Sequence, residues 1–357
     1  MREPSRSELL LLWLLTCIVF VTVIVHFENY ASKVDNFGDN GDYMTAASGI
    51  GAGNFRDIRV KQFWGVSYVM APLSFLFGSS QRISLLLVSA VSSLVSILLA
   101  RQLWGGWVAG FFAILNFDWM QRSYLGGSET LFIALLFVSF LAIRHDRWMV
   151  AAVLAAFSTV TRPVGIFALA ALGLSLLAKR EYKNLALCTG VALIVGALYV
   201  LPFCIYFGDP LYQVHSYKTN DWQSGMPIGL PFYTIGKSFL HNQQPWTNVA
   251  LTMGWVIFVA TGALAMARKA FRQYAREHLP EALFAFLYIA FIFSYNASAW
   301  ALADIVRFAI PALPFVLLSL RDWMPRSRVL LFSLAAVSSA LAACSAIGIR
   351  NVFPMLR

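Results

Sequence analysis

The 357 residues are 59% hydrophobic and 15% aromatic but only 12% charged, with a mean hydropathy of +0.68. Soluble domains carry about 25% charged residues, so that class is excluded. Apolar stretches recur from Leu9 to Ile349 with no long hydrophilic block, so residues 1–357 read as a single membrane-embedded domain. The formal net charge of +10 lies in short clusters between the apolar runs. Nucleic-acid binding would gather it on one solvated face, so nucleic acid is excluded as a partner and membrane topology accounts for the charge. Cys17, Cys188, Cys204 and Cys344 stand in apolar segments without metal-ligand spacing, which reads as buried free thiols.

The chain opens with Arg2 and Arg6 and then runs apolar from Leu9 to Val25. His26-Phe27-Glu28-Asn29-Tyr30 follows where a cleavable signal would need small residues, so this run is expected to be a retained first helix. Further stretches long or nearly long enough to span are Ile83–Ala100, Thr130–Ile143, Gly165–Leu177, Leu185–Phe207, Val249–Ala267, Ala282–Ala297 and Val329–Ile349. The shorter Trp107–Phe117, Met149–Val160 and Phe308–Leu320 bring the expectation to about eleven spans in an all-α, polytopic transmembrane helical bundle. Short spans ending at proline are tolerated where the backbone is covered by protein or lines a wet cavity. Trp104, Trp107, Trp119, Trp148, Trp300 and Trp323 fall at segment ends, the pattern of an interfacial aromatic belt.

A cytoplasmic N-terminus gathers Arg2/Arg6, Arg101, Arg144/Arg147, Lys179/Arg180/Lys183, Arg268/Lys269/Arg272/Arg276 and Arg321/Arg326/Arg328 on the inner face. These short connections hold more than half of the 27 basic residues, as positive-inside orientation requires. A span at Phe63–Gly78, which Gly65 and Pro72 interrupt, would flip every later cluster outward, so this stretch is expected to be interfacial or re-entrant. Two long outer loops follow from this topology, residues 28–82 and 208–248, and loops of that length are usually functional.

The first outer loop carries Asp35, Asp39 and Asp42 ahead of Tyr43. Asp42 either caps a helix beginning at Tyr43 or, like Asp39, offers a carboxylate able to take a proton from a hydroxyl. Ser128 and Glu129 open the run after Arg122-Ser123-Tyr124-Leu125-Gly126-Gly127. They either cap that helix and favour its positive end or belong to a site, since acids at the entry of a span are rare. Arg162, before Pro163, either snorkels to the interface or binds a ligand. Arg307 either pairs with Asp304 along a helix or does the same. Charge topology sets Asp39, Asp42, Arg122, Glu129, Arg162 and Arg307 on one side. Carboxylates that activate a hydroxyl, beside arginines that grip phosphate bidentately, suit transfer from a phosphorylated donor.

Five stretches in order resemble the multi-pass GT-C glycosyltransferases, which use polyprenyl-phosphate-linked sugars, and membrane mannosyltransferases among them. They are Asp39 with Tyr43, Ala46 and Ala47; Trp64, Tyr68, Pro72, Phe77 and Gly78; Gly127-Ser128-Glu129-Thr130-Leu131-Phe132; Thr161-Arg162-Pro163-Val164-Gly165; and Arg307-Phe308-Ala309-Ile310-Pro311. The resemblance covers about residues 10–320. It implies an all-helical cell-envelope enzyme whose first outer loop forms helices along the membrane, with an inverting transfer and a loop aspartate as general base. Asp39 matches that base best and Asp42 is its rival; the family often has adjacent acids here, whereas Asn40 follows Asp39. Metal dependence varies in the family and this chain has no convincing ligand set, so no metal is assigned. The implied partners are membrane lipid, a lipid-linked sugar donor, and a glycan, lipid or protein acceptor on the non-cytoplasmic face (periplasmic, extracellular or lumenal). Arg162 or Arg307 would neutralise the departing phosphate, and Glu129 would orient an arginine or a sugar hydroxyl. Arg122 and Tyr43 would join the substrate site; Trp64, Tyr68, His215, Lys218 and Trp222 would shape the acceptor side. Two readings of other classes stand beside this one. A transporter or flippase would show repeated halves, and none is evident; a non-catalytic assembly subunit would have no need of the acid and arginine set. A ligase moving a whole glycan is a neighbouring enzyme class.

Overall fold

The computed structural model describes residues 2–56, 58, 62–78, 80–218, 229–233, 235–236, 246–295 and 305–348. Among them the regular structure is helical. The first half contains α1 (Arg6–Phe27), α2 (Tyr30–Asp35), α3 (Asn40–Gly51), α4 (Gly65–Leu76), α5 (Gln81–Trp104), α6 (Gly106–Leu115), α7 (Phe117–Leu125), α8 (Glu129–Arg144) and α9 (Trp148–Thr161). A 3-10 turn, Pro163–Gly165, leads to α10 (Ile166–Ala178), α11 (Tyr182–Phe207) and α12 (Tyr212–Lys218). The rest comprises α13 (Trp246–Ala265), α14 (Lys269–Glu277), α15 (Leu279–Ser294), α16 (Ile305–Phe308), α17 (Leu313–Ser319) and α18 (Arg328–Ile347).

Among the described residues four helices, α1, α5, α11 and α18, are long and apolar enough to cross a membrane, or up to six segments if two bent pairs each count as one. At about 1.5 Å per residue, the 22 residues of α1 match the hydrocarbon thickness of a bilayer. Apolar α4, α6, α9, α10 and α15 fall short of a full span. The stretch expected as one helix over Phe308–Leu320 divides into α16 and α17 instead. Pro311 and Pro314 account for the division, because proline removes a backbone donor and crowds the preceding turn. The interrupted Phe63–Gly78 stretch forms the 12-residue α4, packed on α3 and α5. Asn296–Asp304, including Trp300, and the segment with Trp222 lie outside the described residues.

Helix α8 packs on α5 and α9, α1 packs on α18, and α10 packs on α15. Small residues permit these close approaches. Ala151, Ala152, Ala155, Ala156 and Ser158 are buried on α9, and Ser84, Ser89, Ser93 and Ser96 on α5. Trp104, Trp107 and Trp119 do not form an interfacial belt. All three are buried, Trp119 at 1% exposure, because Trp104 has Tyr274 and Glu281 as hydrogen-bond partners and Trp119 packs on Phe112. Of the four free thiols only Cys188 is buried; Cys204 is exposed on α11, as a lipid-facing apolar side chain can be.

Candidate functional site

The site assembles where the C-terminal ends of α1, α7 and α9 meet the starts of α3 and α8. After α1, Asn29 caps α2 by accepting the Ser32 N–H at 3.0 Å. The chain then turns through Gly38, whose φ of +54° suits glycine, into α3. Helix α3 begins at Asn40 rather than Tyr43, so Asp42 is not its cap; Asp39 occupies the cap position without making a capping bond. The start of α3 is set by Asn40, which is fully buried and donates through Nδ2 to the Val34 carbonyl at 2.7 Å and the Leu125 carbonyl at 2.8 Å. That clamp joins α2, α3 and α7 and leaves the Asp39 carboxylate facing the interior of the site.

Helices α7 and α8 meet at 105° across Gly126-Gly127-Ser128. A Cβ on Gly127 would lie 2.6 Å from Arg122 Cδ and 2.7 Å from Glu129 Oε2, so only glycine lets these two side chains meet across the bend. Ser128 makes no capping bond to α8. Its hydroxyl lies 2.9 Å from the Tyr43 hydroxyl and accepts from Arg162 Nη1 at 3.3 Å.

Glu129 is the hub. Its Oε1 accepts from Arg162 Nη1 at 2.5 Å and from Arg307 Nε, and its Oε2 lies 3.8 Å from Arg122 Nε. The carboxylate is 3% exposed; a buried charge of this kind is tolerated when it is paired. Glu129 therefore does more than favour a helix end, and Arg162, paired with it, does not snorkel to the interface. Arg162 ends α9 in an extended conformation, as the residue before a proline does, and its guanidinium lies 5.5 Å from the centre of the Phe308 ring. Arg307, on α16, also reaches Asp39 Oδ2 at 3.5 Å. Its expected helical partner Asp304 lies outside the described residues. Helix α16 is held in turn by Asn116 Nδ2, donating to the Val306 carbonyl at 2.8 Å, and Tyr288, donating to the Phe308 carbonyl at 2.9 Å.

A cleft of about 140 Å³ opens onto this cluster, and Asp39, Tyr43, Ser128, Arg162, Arg307 and Phe308 are among its lining residues, with Gln62, Phe63, Thr161 and Pro163. Burial, with the Asp39 and Glu129 charges added to it, holds the Tyr43 phenol above the usual tyrosine range, so it serves as a donor. Asp42, Arg122 and Trp64 do not line the cleft. Arg122 sits behind Glu129, 7% exposed, with its guanidinium over the Phe37 ring. Trp64 is fully buried against Phe203, and its neighbour Phe63 lines the cleft in its place. His215, which is not among the lining residues, pairs with Asp209 at 2.7 Å. Among the described residues no group of three or more His, Cys, Asp and Glu could hold a metal ion. The cleft itself offers one carboxylate against two arginines, a poor cradle for a hard cation.

Sequence reasoning gave no site role to Asn40, Gln62, Phe63 or Gln213. Gln213, 4% exposed, accepts from the Tyr199 hydroxyl at 2.8 Å and donates to the Gln62 carbonyl at 2.8 Å. Phe63 stacks on Tyr199 with the ring planes 4° apart. An isolated glutamine in a polar loop carries no signal of such a role; only the partner's position reveals it.

No protein-family model and no curated protein sequence matches the chain. Solved structures do. The chain is similar to ArnT from Cupriavidus metallidurans in the apo state, with a TM-score of 0.56 and 15% identity over 94% of this chain and 76% of that one. ArnT bound to undecaprenyl phosphate gives a TM-score of 0.56 and 16% identity over 93% and 77%. The archaeal oligosaccharyltransferase AglB from Archaeoglobus fulgidus, in complex with an inhibitory peptide and a dolichol-phosphate, gives 0.51 and 15% identity, covering 94% of this chain and 55% of AglB. The chain shares the GT-C fold of these solved structures and is an integral membrane protein.

Proposed function

We propose that this chain is a glycosyltransferase that moves a sugar from a polyprenyl-phosphate donor to an acceptor hydroxyl, inverting the anomeric centre. The observation that carries the reading is the meeting of Asp39, Arg162 and Arg307 on one cleft. The similarity to ArnT bound to undecaprenyl phosphate supports a lipid phosphate as the carrier. Such a donor keeps its tail in the bilayer and presents its phosphate at the end of the bundle, where the cleft opens.

In the reaction, Asp39 takes the proton of the acceptor hydroxyl as its oxygen attacks the anomeric carbon from the face opposite the phosphate. The bond from that carbon to the phosphate oxygen breaks, and polyprenyl phosphate leaves with the electron pair. Arg162 and Arg307 neutralise the charge on the leaving group, a contribution enlarged in a site poor in water. Glu129 keeps both guanidinium groups in position before the donor arrives, so little reorganisation is needed. The Tyr43 phenol and Ser128 hydroxyl orient a sugar oxygen. The Lys/Arg distribution supports a cytoplasmic N-terminus and a site on the periplasmic, extracellular or lumenal face, with a glycan, lipid or protein as acceptor.

The test is transfer by the purified chain from polyprenyl-phosphate sugars, mannose among them, to a panel of acceptors. Asp39→Asn is expected to lose turnover on the order of 10²–10⁴-fold, the usual contribution of a general base. Asp42→Asn, outside the cleft, is expected to keep it. Undiminished transfer by Asp39→Asn would overturn the base assignment. Solute flux in proteoliposomes without any transfer product would favour a transporter.

A further inference from the structure

At the opposite end of the bundle the segment before α1 folds onto the corner between α5 and α6. Glu3 Oε2 accepts the Gly106 N–H at 3.0 Å, and the Pro4 carbonyl accepts from Arg101 Nε at 3.0 Å. A Cβ on Gly106 would lie 2.5 Å from the Pro4 carbonyl oxygen, so the corner is built for this segment. Nearby, Ser327 caps α18 by accepting the Leu330 N–H at 3.3 Å. Between the two lies a cleft of about 440 Å³ lined by Arg2, Trp107, Arg326, Ser327, Arg328 and Val329. It shares Trp107 and Arg326 with an adjoining cleft of about 300 Å³.

The first cleft has three arginines and no acid among its lining residues. Arg328 is matched by Glu8 at 2.8 Å, and Glu8 also accepts the Ser5 N–H at 2.7 Å. Glu3, which lines the adjoining cleft, offsets one further charge, so Arg2, Arg326 and Arg328 exceed Glu3 and Glu8 by one, a local excess of positive charge. Trp107 is 8% exposed, and its indole N–H is buried without an acceptor. Buried donors are normally satisfied, so an orphan on the wall of an arginine-lined cleft points to an anionic oxygen. The surroundings say where that oxygen comes from. Val329 and Leu330 at the head of α18 are 79% and 39% exposed, and Trp323 is 60% exposed. In a membrane protein such a rim faces lipid, and a ligand arrives along it from the bilayer.

We infer that this cleft binds the phosphate headgroup of an anionic glycerophospholipid, held by Arg2 and Arg326 and by the indole N–H of Trp107. The acyl chains lie against the exposed apolar residues beside the α1–α18 seam. The site is at the far end of α1 from Asp39, on the face that the Lys/Arg distribution assigns to the cytoplasm, where anionic lipids and basic pockets between helices pair.

The full chain in phosphatidylcholine nanodiscs with and without phosphatidylglycerol, read by native mass spectrometry for retained lipid, tests this. One phosphatidylglycerol is expected to be retained, with affinity falling on the order of twenty-fold in Arg2→Gln/Arg326→Gln, since each surface arginine is worth roughly five-fold. Arg2→Lys/Arg326→Lys is expected to restore most of it, and Trp107→Phe to weaken it several-fold. Lys179→Gln/Arg180→Gln, elsewhere on the same face, is expected to leave it unchanged. Should the glutamine pair fail to fold, the lysine pair combined with Trp107→Phe carries the comparison. Equal retention by parent and variants, or an equal loss in the Lys179/Arg180 pair, overturns the proposal. So does stabilisation by inorganic phosphate alone without retention of phosphatidylglycerol, which would mark a free-anion site.

Discussion

Glu129 at the head of α8 accepts a 2.5 Å hydrogen bond from Arg162 at the end of α9, across 33 residues of sequence. The same oxygen accepts from Arg307 on α16, which also contacts Asp39 at the start of α3. One buried carboxylate thus registers four elements against one another. In the proposed reaction its value is preorganisation: the arginines are held close together by a negative charge before a donor phosphate would reach them.

Removal of that charge leaves the arginines to repel one another in a buried place. Glu129→Gln is expected to cost about 3–5 kcal/mol of stability and to abolish transfer, as measured by thermal unfolding in detergent and by turnover. A matching hub lies at the other end, where Glu281 accepts from Arg144 at 2.7 and 3.0 Å and from Trp104 at 3.1 Å. Glu281→Gln is expected to lower stability by a similar amount while the surviving folded protein keeps its kcat/KM. Equal loss of turnover per folded molecule in both variants would mean that Glu129 has only a structural role.

The two carbonyls that Asn40 meets explain why an amide rather than an acid follows Asp39. Asn40→Asp turns two donors toward the Val34 and Leu125 carbonyls into a buried carboxylate facing two carbonyl oxygens. A loss of several kcal/mol is expected, seen as a lower midpoint of unfolding. A midpoint unchanged near neutral pH would refute the clamp.

Gly65 opens α4 directly against the last turn of α9. A Cβ there would lie 2.5 Å from Thr161 Cα, a backbone atom that cannot step aside without moving Arg162. Gly65→Ala is expected to cost about 1–3 kcal/mol through overpacking and to reduce transfer. Gly190→Ala is the control, since nothing lies within 4 Å of the added methyl group in α11; it is expected to stabilise by about 0.5–1 kcal/mol. Thermal unfolding of the two side by side gives opposite signs if the α4–α9 contact is as tight as described.

Gln213 ties α12 to the rim of the cleft through Tyr199 and Gln62. Gln213→Ala is expected to raise KM several-fold with a smaller change in kcat, because it frees the rim rather than removing a reacting group. Gln213→Glu keeps the acceptor for Tyr199 but loses the donor to Gln62, and is expected to fall between. A change confined to kcat would place Gln213 in the chemistry instead.

Much of this was legible along the chain because bilayer residence imposes a strong local rule. Runs such as Leu9–Val25 and Leu185–Phe207 announce their helices by composition, and Pro72 and Pro311 mark where helices shorten or break. Asp39, Glu129, Arg162 and Arg307 were visible for a related reason: ionisable groups beside long apolar runs are costly unless something uses them. The same rule misjudged Trp104, Trp107 and Trp119. A tryptophan at the end of an apolar run has the same local sequence whether it meets lipid or finds a hydrogen-bond partner inside the bundle.

Composition and charge therefore determined that the chain is a helical membrane protein and singled out Asp39, Glu129, Arg162 and Arg307 as candidates for one end of it, since desolvation acts on each segment by itself. The tertiary structure alone decided which carboxylate faces the cleft and which guanidinium groups share Glu129. It also turned Asn40 and Gln213 into supports and set Trp64 and Arg122 behind the wall. Hydrogen bonds and ion pairs depend on separations of a few ångströms between segments far apart in sequence, and only helix packing sets those distances.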